Sequence, residues 1–400
     1  MKENEIKSIL EMLERKEITA DEAKRLIEAL QSSSGASKES AGKAQRDKDR
    51  DKDRDKKYDT KDSFRIIGQE FQNIGKTISK TVSDTFEDIK KEIVTSLSDE
   101  PIEEFDENLY RKDYVYDLKD QKVLIVDVGH AKVSIGRNKD DKLLIGRAVR
   151  EEDFHKIDDV IDFSLEDEKI ILRVSDEGVD ELSLSINLPD RNFEKILVQS
   201  AGKNLIIRDT KSDDFTIERV AGFIKIQRCQ GKNLKVDSIM SNIFTEQNDF
   251  EEEMLLKSVR GAVTSSMDKS RQVNVQSSDG PIKVGGSSSR SFKAENINGT
   301  IAFDFLKPYQ QEGKFLISAE NGNGSININM NSDFGCAFEC TVRKQGGIRL
   351  ARDFNAFSVN RNSIGRISYA KGESKQTYKA SIVAGLEAVT NNGSISLHSN

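Results

Sequence analysis

A short motif recurs through the last half of this chain and limits what it can fold into. A small or turn residue and a glycine introduce a brief alternating strand in SAGKNLIIRD, RVAGFIKIQR, SVRGAVTSS, SSDGPIKVGG, NINGTIAFDF, NGNGSININM, KQGGIRLARD and NNGSISLHSN. The corner glycines are Gly202, Gly222, Gly261, Gly280, Gly299, Gly324, Gly347 and Gly393, mostly one or two repeats of about 20 residues apart. A period of that size means stacked units, none able to bury its apolar face alone. Asn-Gly, Asp-Gly and Gly-Gly pairs supply positive φ at low steric cost. Alternation then turns Ile326 and Ile328 inward and leaves Asn327 and Asn329 facing water, where Asn329→Asp is expected to do little. Only four prolines in 400 residues agree with many laddered strands. The fold expected for 110–400 is mostly β, a right-handed β-solenoid or β-helix-like repeat, with an antiparallel sandwich second. Its last repeat, NNGSISLHSN, has no polar cap after it, so it is expected to fold against a neighbouring strand or a second copy.

Upstream the period is helical. In residues 1–31, Ile6, Leu10 and Leu13, then Leu26, Ile27 and Leu30, mark the apolar faces of a helical hairpin. Thr19 and Glu22 form a capping box between its two helices. So little surface is expected to engage a protein partner or another copy. Residues 32–62 contain RDKDRDKDRDKK and read as a disordered charged linker. Asp51, Asp53 and Asp55 lack the turn glycine and closing Glu of a calcium loop.

Residues 63–98 read as a long amphipathic helix. Phe64, Ile67, Phe71, Ile74, Ile78, Val82 and Phe86 recur at helical spacing, and Ile89, Ile93 and Leu97 continue the stripe. The spacing follows an 11-residue period rather than the heptad of a left-handed coiled coil. Five basic and five acidic residues balance between Ser63 and Ser98. Bulky apolar groups with little net charge suit insertion into loosely packed lipid. Packing on the β region or on another copy suits them equally.

In the β region, LSLSINLPDRNFEKILVQSAGKNLIIRD resembles the recurring signature of the bacterial candidate-adhesin β-strand-repeat family. An alternating strand ends there at Leu188-Pro189, and a strand, a Ser-x-Gly corner and another strand follow from Val198 to Arg208. The hairpin ILEMLERKEITADEAKRLIEAL is similar to the short helical domain of YvlB-like and LiaX-like proteins. The resemblance implies a β-helix-like fold, no catalytic residues, no cofactor and a connection with the cell-envelope stress response of Gram-positive bacteria.

The chemistry-bearing residues agree with a non-enzymatic scaffold or sensor. His130, His155 and His398 are scattered, with no zinc-ligand spacing. Cys336 and Cys340 share one strand and one face about 13 Å apart, too far for a disulfide, and together with Cys229 are expected as buried thiols. No nucleophile elbow, phosphate loop or dinucleotide fingerprint occurs, and Gly322 and Gly324 read as a corner. A polysaccharide-binding or polysaccharide-cleaving β-helix is the alternative, since such folds host carboxylate pairs. The absence of tryptophan weighs against a sugar cleft. A net charge of −7 gives no reason to expect nucleic-acid binding, and no small-molecule substrate is evident. The N-terminus lacks the apolar run of a signal peptide, and no window has the length of a transmembrane helix. The expected setting is the cytoplasm, with the membrane surface as a peripheral contact.

Overall fold

The computed structural model describes residues 109–399 apart from 130, 175–177, 180, 201–203 and 311–312. The hairpin, linker and amphipathic helix expected over 1–98 lie outside the described residues, as do Gly202 and His130.

The repeat glycines fall in one vertical column because parallel strands about 19 residues apart lie in register. Gly222 pairs with Ser241, and Gly261, Gly280, Gly299, Gly324, Gly393 and Gly346 continue the line. From Gly261 onwards these glycines have φ between 129° and 150°, which side chains rarely adopt. The corner of KQGGIRLARD is therefore Gly346, one residue before the expected Gly347. The chain follows Gly-Gly there with the second glycine already in the strand.

Two long ladders carry the coils. The first contains Val123–Asp127, Phe193–Ser200, Ser212–Glu218, Gln230–Ser238, Asp249–Arg260, Lys269–Asp279, Ser291–Asn298 and Gly313–Asn323 in parallel. The second runs Lys132–Arg137, Asn204–Arg208, Ala221–Gln227, Met240–Glu246, Val263–Ser266, Ile282–Gly285, Ile301–Asp304 and Ile326–Met330. Coil order departs from chain order at both ends. Strand Ile382–Ser399 spans both ladders and lies between the Gly313–Met330 coil and Gly335–Leu350. The last repeat thus folds against neighbouring strands, one on each side. At the other end, Val123–Asp127 lies between Phe193–Ser200 and Lys169–Val174.

Antiparallel ribbons close the stack, a feature absent from the repeat pattern. Ile161–Glu166 pairs with Lys169–Val174, and Tyr110–Asp117 and Lys142–Val149 extend the second ladder beyond Leu182–Leu188. At the far end Ile367–Ser374 pairs with Gly335–Leu350, and Phe354–Arg361 pairs with Ile367–Ser374.

Inward positions form unbroken apolar columns: Ile224, Ile243, Val263, Ile282, Ile301, Ile326, Ile395 and Ile348 are all buried. Each is worth roughly 2 kcal/mol against exposure. A second column shrinks from Leu256 and Val275 to Ala294, Ala319 and Ala388. Phenylalanines are added where it shrinks. Phe292–Phe315, Phe315–Phe334 and Phe338–Phe354 meet edge to face with ring centroids 5.8–6.4 Å apart. Asn327 and Asn329 stand outside this core, as expected, but the Asn329 amide donates to the Asp304 carboxylate. Asn329→Asp would oppose two carboxylates, so the expected tolerance does not hold at that position.

A second corner column uses ordinary residues. Asp209, Arg228, Gln247, Met267 and Phe305 have φ of 51–56°, with Gly286 among them at 63°. The N–H of each donates across to the next coil, as Met267 does to the Gly285 carbonyl at 2.8 Å and Phe305 to the Asn329 carbonyl at 2.9 Å. The ladder therefore holds a conformation that costs a non-glycine residue roughly 1–2 kcal/mol. Asn tolerates this region, and Phe305 is 43 % exposed. Phe305→Asn is expected to raise the melting temperature by about 2 °C, read by thermal denaturation. A fall of several degrees would mean that the ring packs rather than strains.

Candidate interaction surface

Basic side chains concentrate on the antiparallel ribbon closing the C-terminal end. Residues 335–381 contain nine Lys and Arg and three Asp and Glu, a net +6 in a chain of net −7. Glu339 accepts from Lys371 at 3.0 Å, and that ammonium holds its carboxyl below the usual range. Asp353 faces Lys375 at 3.7 Å. Among the described residues no carboxylate lies within 4 Å of Lys344, Arg349, Arg352, Arg361 or Arg366, all exposed.

The tip of the ribbon is shaped locally. Asn362 Oδ1 accepts from the N–H groups of Ile364 and Arg366 at 3.2 and 3.0 Å, and Gly365 takes φ 78°. Arg361 Nη1 donates to the Gly365 carbonyl at 2.9 Å. The turn leaves Ile364 at 68 % exposure, flanked by Arg361 and Arg366, and a bulge leaves Phe357 at 70 %. The inner side of the ribbon packs on the core: Phe354 is buried against Phe338, and the Arg366 side-chain stem lies over Gly347. The result is a fixed cationic surface with two apolar protrusions, suited to an anionic partner.

Inside the stack a polar ladder follows the second corner. Thr210, Cys229, Asn248, Asp268 and Ser287 occupy successive coils and are all buried. Asn248 accepts from the Cys229 N–H at 2.9 Å and donates its own N–H and side-chain amide to Asp268 Oδ1 at 3.0 and 2.8 Å. Thr245 and Ser265 hydroxyls donate to Asp268 Oδ2 at 2.6 Å. Burial raises the Asp268 pKa, and these donors offset only part of that rise. A raised folded-state pKa means tighter proton binding in the folded chain. Its stabilisation is complete below the unfolded-state pKa and is lost as pH rises through the folded one. Asp268→Asn is expected to flatten the fall in stability from about pH 4 upward, measured by urea unfolding across pH. An unchanged slope would remove Asp268 as its source.

The thiols lie within this core. Burial pushes Cys229 up to about 11 and Cys336 up to about 12, and raises Cys340 further, so none forms a thiolate at neutral pH. All three are free, as expected. A cleft of about 170 Å³ opens beside Cys336, bordered by Phe334, Asp353 and Lys375. His155 Nδ1 lies 2.9 Å from the Glu152 carbonyl, and His398 sits on the last strand. Among the described residues no cluster of three His, Cys, Asp or Glu could hold a metal, and no helix is long and apolar enough to cross a membrane.

The faces expected from sequence, Phe64 to Phe86 on the helix and Ile6 to Leu30 on the hairpin, lie outside the described residues. The basic ribbon was legible only as a run poor in carboxylates, which the overall charge conceals.

A family model described as Toastrack DUF4097 matches residues 118–385, and a SHOCT-like domain model matches residues 4–35. No curated relative matches the chain. Among solved structures, a candidate adhesin from Bacteroides fragilis is 12 % identical with a TM-score of 0.38, covering 73 % of this chain and 98 % of its own. A candidate adhesin from Parabacteroides merdae is 9 % identical, TM-score 0.38, covering 72 % and 95 %. A candidate lipid-binding protein from Parabacteroides distasonis is 11 % identical, TM-score 0.35, covering 72 % and 96 %.

Proposed function

This chain belongs to the Toastrack DUF4097 family, and from that premise we propose that it is a non-enzymatic scaffold and sensor of the bacterial cell-envelope stress response. The observation that carries the reading is the fixed cationic cap, where Arg361 and Arg366 flank the exposed Ile364 on a ribbon anchored by Phe354. A stack held by continuous ladders keeps such a surface in one geometry, as recognition of a partner requires. In this proposal the segment 1–98 supplies the second contact. Its hairpin binds a protein partner or another copy, and Phe64, Ile67, Phe71, Ile74, Ile78, Val82 and Phe86 meet the membrane surface from the cytoplasm.

The test uses full-length protein captured from cells before and after a cell-wall antibiotic. Stress-dependent recovery of an envelope protein, lost in Phe71→Glu with Ile78→Glu, supports the reading. The same variant should lose binding to small, loosely packed vesicles. Identical captures with and without stress, together with no vesicle binding by the unaltered chain, would reject it.

A further inference from the structure

The first ladder ends in two open strand edges of opposite charge. Among the described residues, Ile161–Glu166 at one end pairs only with Lys169–Val174, and Phe354–Arg361 at the other pairs only with Ile367–Ser374. Among the described residues the outer side of Ile161–Glu166 carries no backbone hydrogen bond, and that of Phe354–Arg361 carries one, a local bond at its first residue from the Phe354 N–H to the Ala351 carbonyl at 3.1 Å. Such edges are templates for another strand.

Their surroundings are complementary. Residues 158–168 hold six carboxylates and no Lys or Arg, and 349–366 hold four Arg and one Asp. Asp162 and Glu166 are exposed, with no Lys or Arg nitrogen within 4 Å among the described residues. Arg352 and Arg361 bracket the other edge, likewise without a carboxylate. Each edge also exposes apolar side chains, Leu165 on the acidic strand and Phe357 and Val359 on the basic one. Six residues face eight, so the two can pair along their length. They cannot meet within one molecule. Fourteen strands make up the ladder from one edge to the other, which at ~4.8 Å per step sets them roughly 60 Å apart.

We propose that the occupant of the basic edge is the acidic edge of a second copy, joining stacks head to tail into one continued ladder. The contact is heterologous, so its own geometry does not close it at two copies and chains can grow. Edge pairing supplies directional hydrogen bonds, and the charges select the acidic end over a second basic end.

The experiment uses the full chain carrying Leu10→Glu and Leu26→Glu on the hairpin together with Phe71→Glu and Ile78→Glu on the helix, which separates this contact from association through the N-terminal segment. Mass is followed by light scattering and sedimentation against concentration, at about 50 mM and about 500 mM salt. Mass should grow with concentration at low salt and fall at high salt. Arg352→Glu with Arg361→Glu should remain monomeric, and so should Asp162→Lys with Glu166→Lys. Melting curves show whether each variant is folded. Mixing the two variants should restore association, because each then offers an edge opposite to one on its partner. A monomer at every concentration in low salt overturns the proposal. So does growth that both reversals leave intact, or a mixture of folded variants that stays monomeric. Failure of this contact leaves the capture and vesicle results of the functional proposal unaffected.

Discussion

Gly324→Ala is expected to cost about 4 kcal/mol of stability, at the upper end for one added methyl group. A Cβ there would stand 1.8 Å from the Gly299 carbonyl oxygen and 2.8 Å from its carbon. Both atoms are backbone inside a ladder, so neither yields by rotating a side chain. The residue also has φ 136°, which adds strain for any L side chain. Relief by local movement is resisted on the other side, where the Gly324 N–H donates to the Asn392 carbonyl at 2.7 Å. Gly285→Ala is the matched control. Its nearest neighbour would be Asp304 Cβ at 3.8 Å, and its φ is not in the left-handed region. That change should be neutral or slightly stabilising through the unfolded chain. Urea unfolding of both variants decides the matter. Equal midpoints would mean that the column tolerates a methyl group and that close glycine stacking does not set the coil spacing.

What could be read from sequence follows from how local each cause is. A glycine corner is a local demand, so Gly261, Gly280, Gly299, Gly324 and Gly393 announced themselves. The inward isoleucines did too, because alternation is a property of neighbouring residues. Coil order is not local. Nothing in NNGSISLHSN says that Gly393 will lie between Gly324 and Gly346 rather than after them. The corner at Arg228, Gln247, Met267 and Phe305 was silent for another reason. Those residue types carry no preference for positive φ, and the conformation is imposed by hydrogen bonds from the next coil. Asn248 and Asp268 likewise read as surface residues, since an alternating pattern cannot distinguish a buried polar ladder from a solvated corner. The charged edges were hidden by averaging. Six carboxylates in 158–168 and four arginines in 349–366 nearly cancel in the total.

Removing residues 389–400 should do far more damage than trimming a terminal repeat. This stretch includes the second half of Ile382–Ser399, which pairs on one side with Ile326–Met330 and on the other with Gly346–Leu350. Its deletion leaves two strands about 10 Å apart with nothing between them. They cannot close up, because the retained Ile382–Ala388 part still separates Gly313–Ala319 from Gly335–Cys340 in the first ladder. Ile395 and Leu397, both fully buried, are lost, at roughly 2 kcal/mol each. The hydrogen bonds of two ladder edges go with them, each worth about 1 kcal/mol and more where the orphaned groups stay dry. The glycine and asparagine corners are interrupted too, since Asn392 Nδ2 donates to Asn323 at 2.7 Å and the Gly324 N–H donates to the Asn392 carbonyl. The basic ribbon depends on Gly335–Leu350 for its seat, so it should detach as a unit. Limited proteolysis should then cut within 335–381 in the truncated chain and leave the same residues intact in the full one. Light scattering should show aggregation through the newly opened edges of Ile326–Met330 and Ile348–Leu350. A truncated protein that stays monomeric, melts within a degree or two of the full chain and resists cleavage there would place the last strand at the edge of the stack instead.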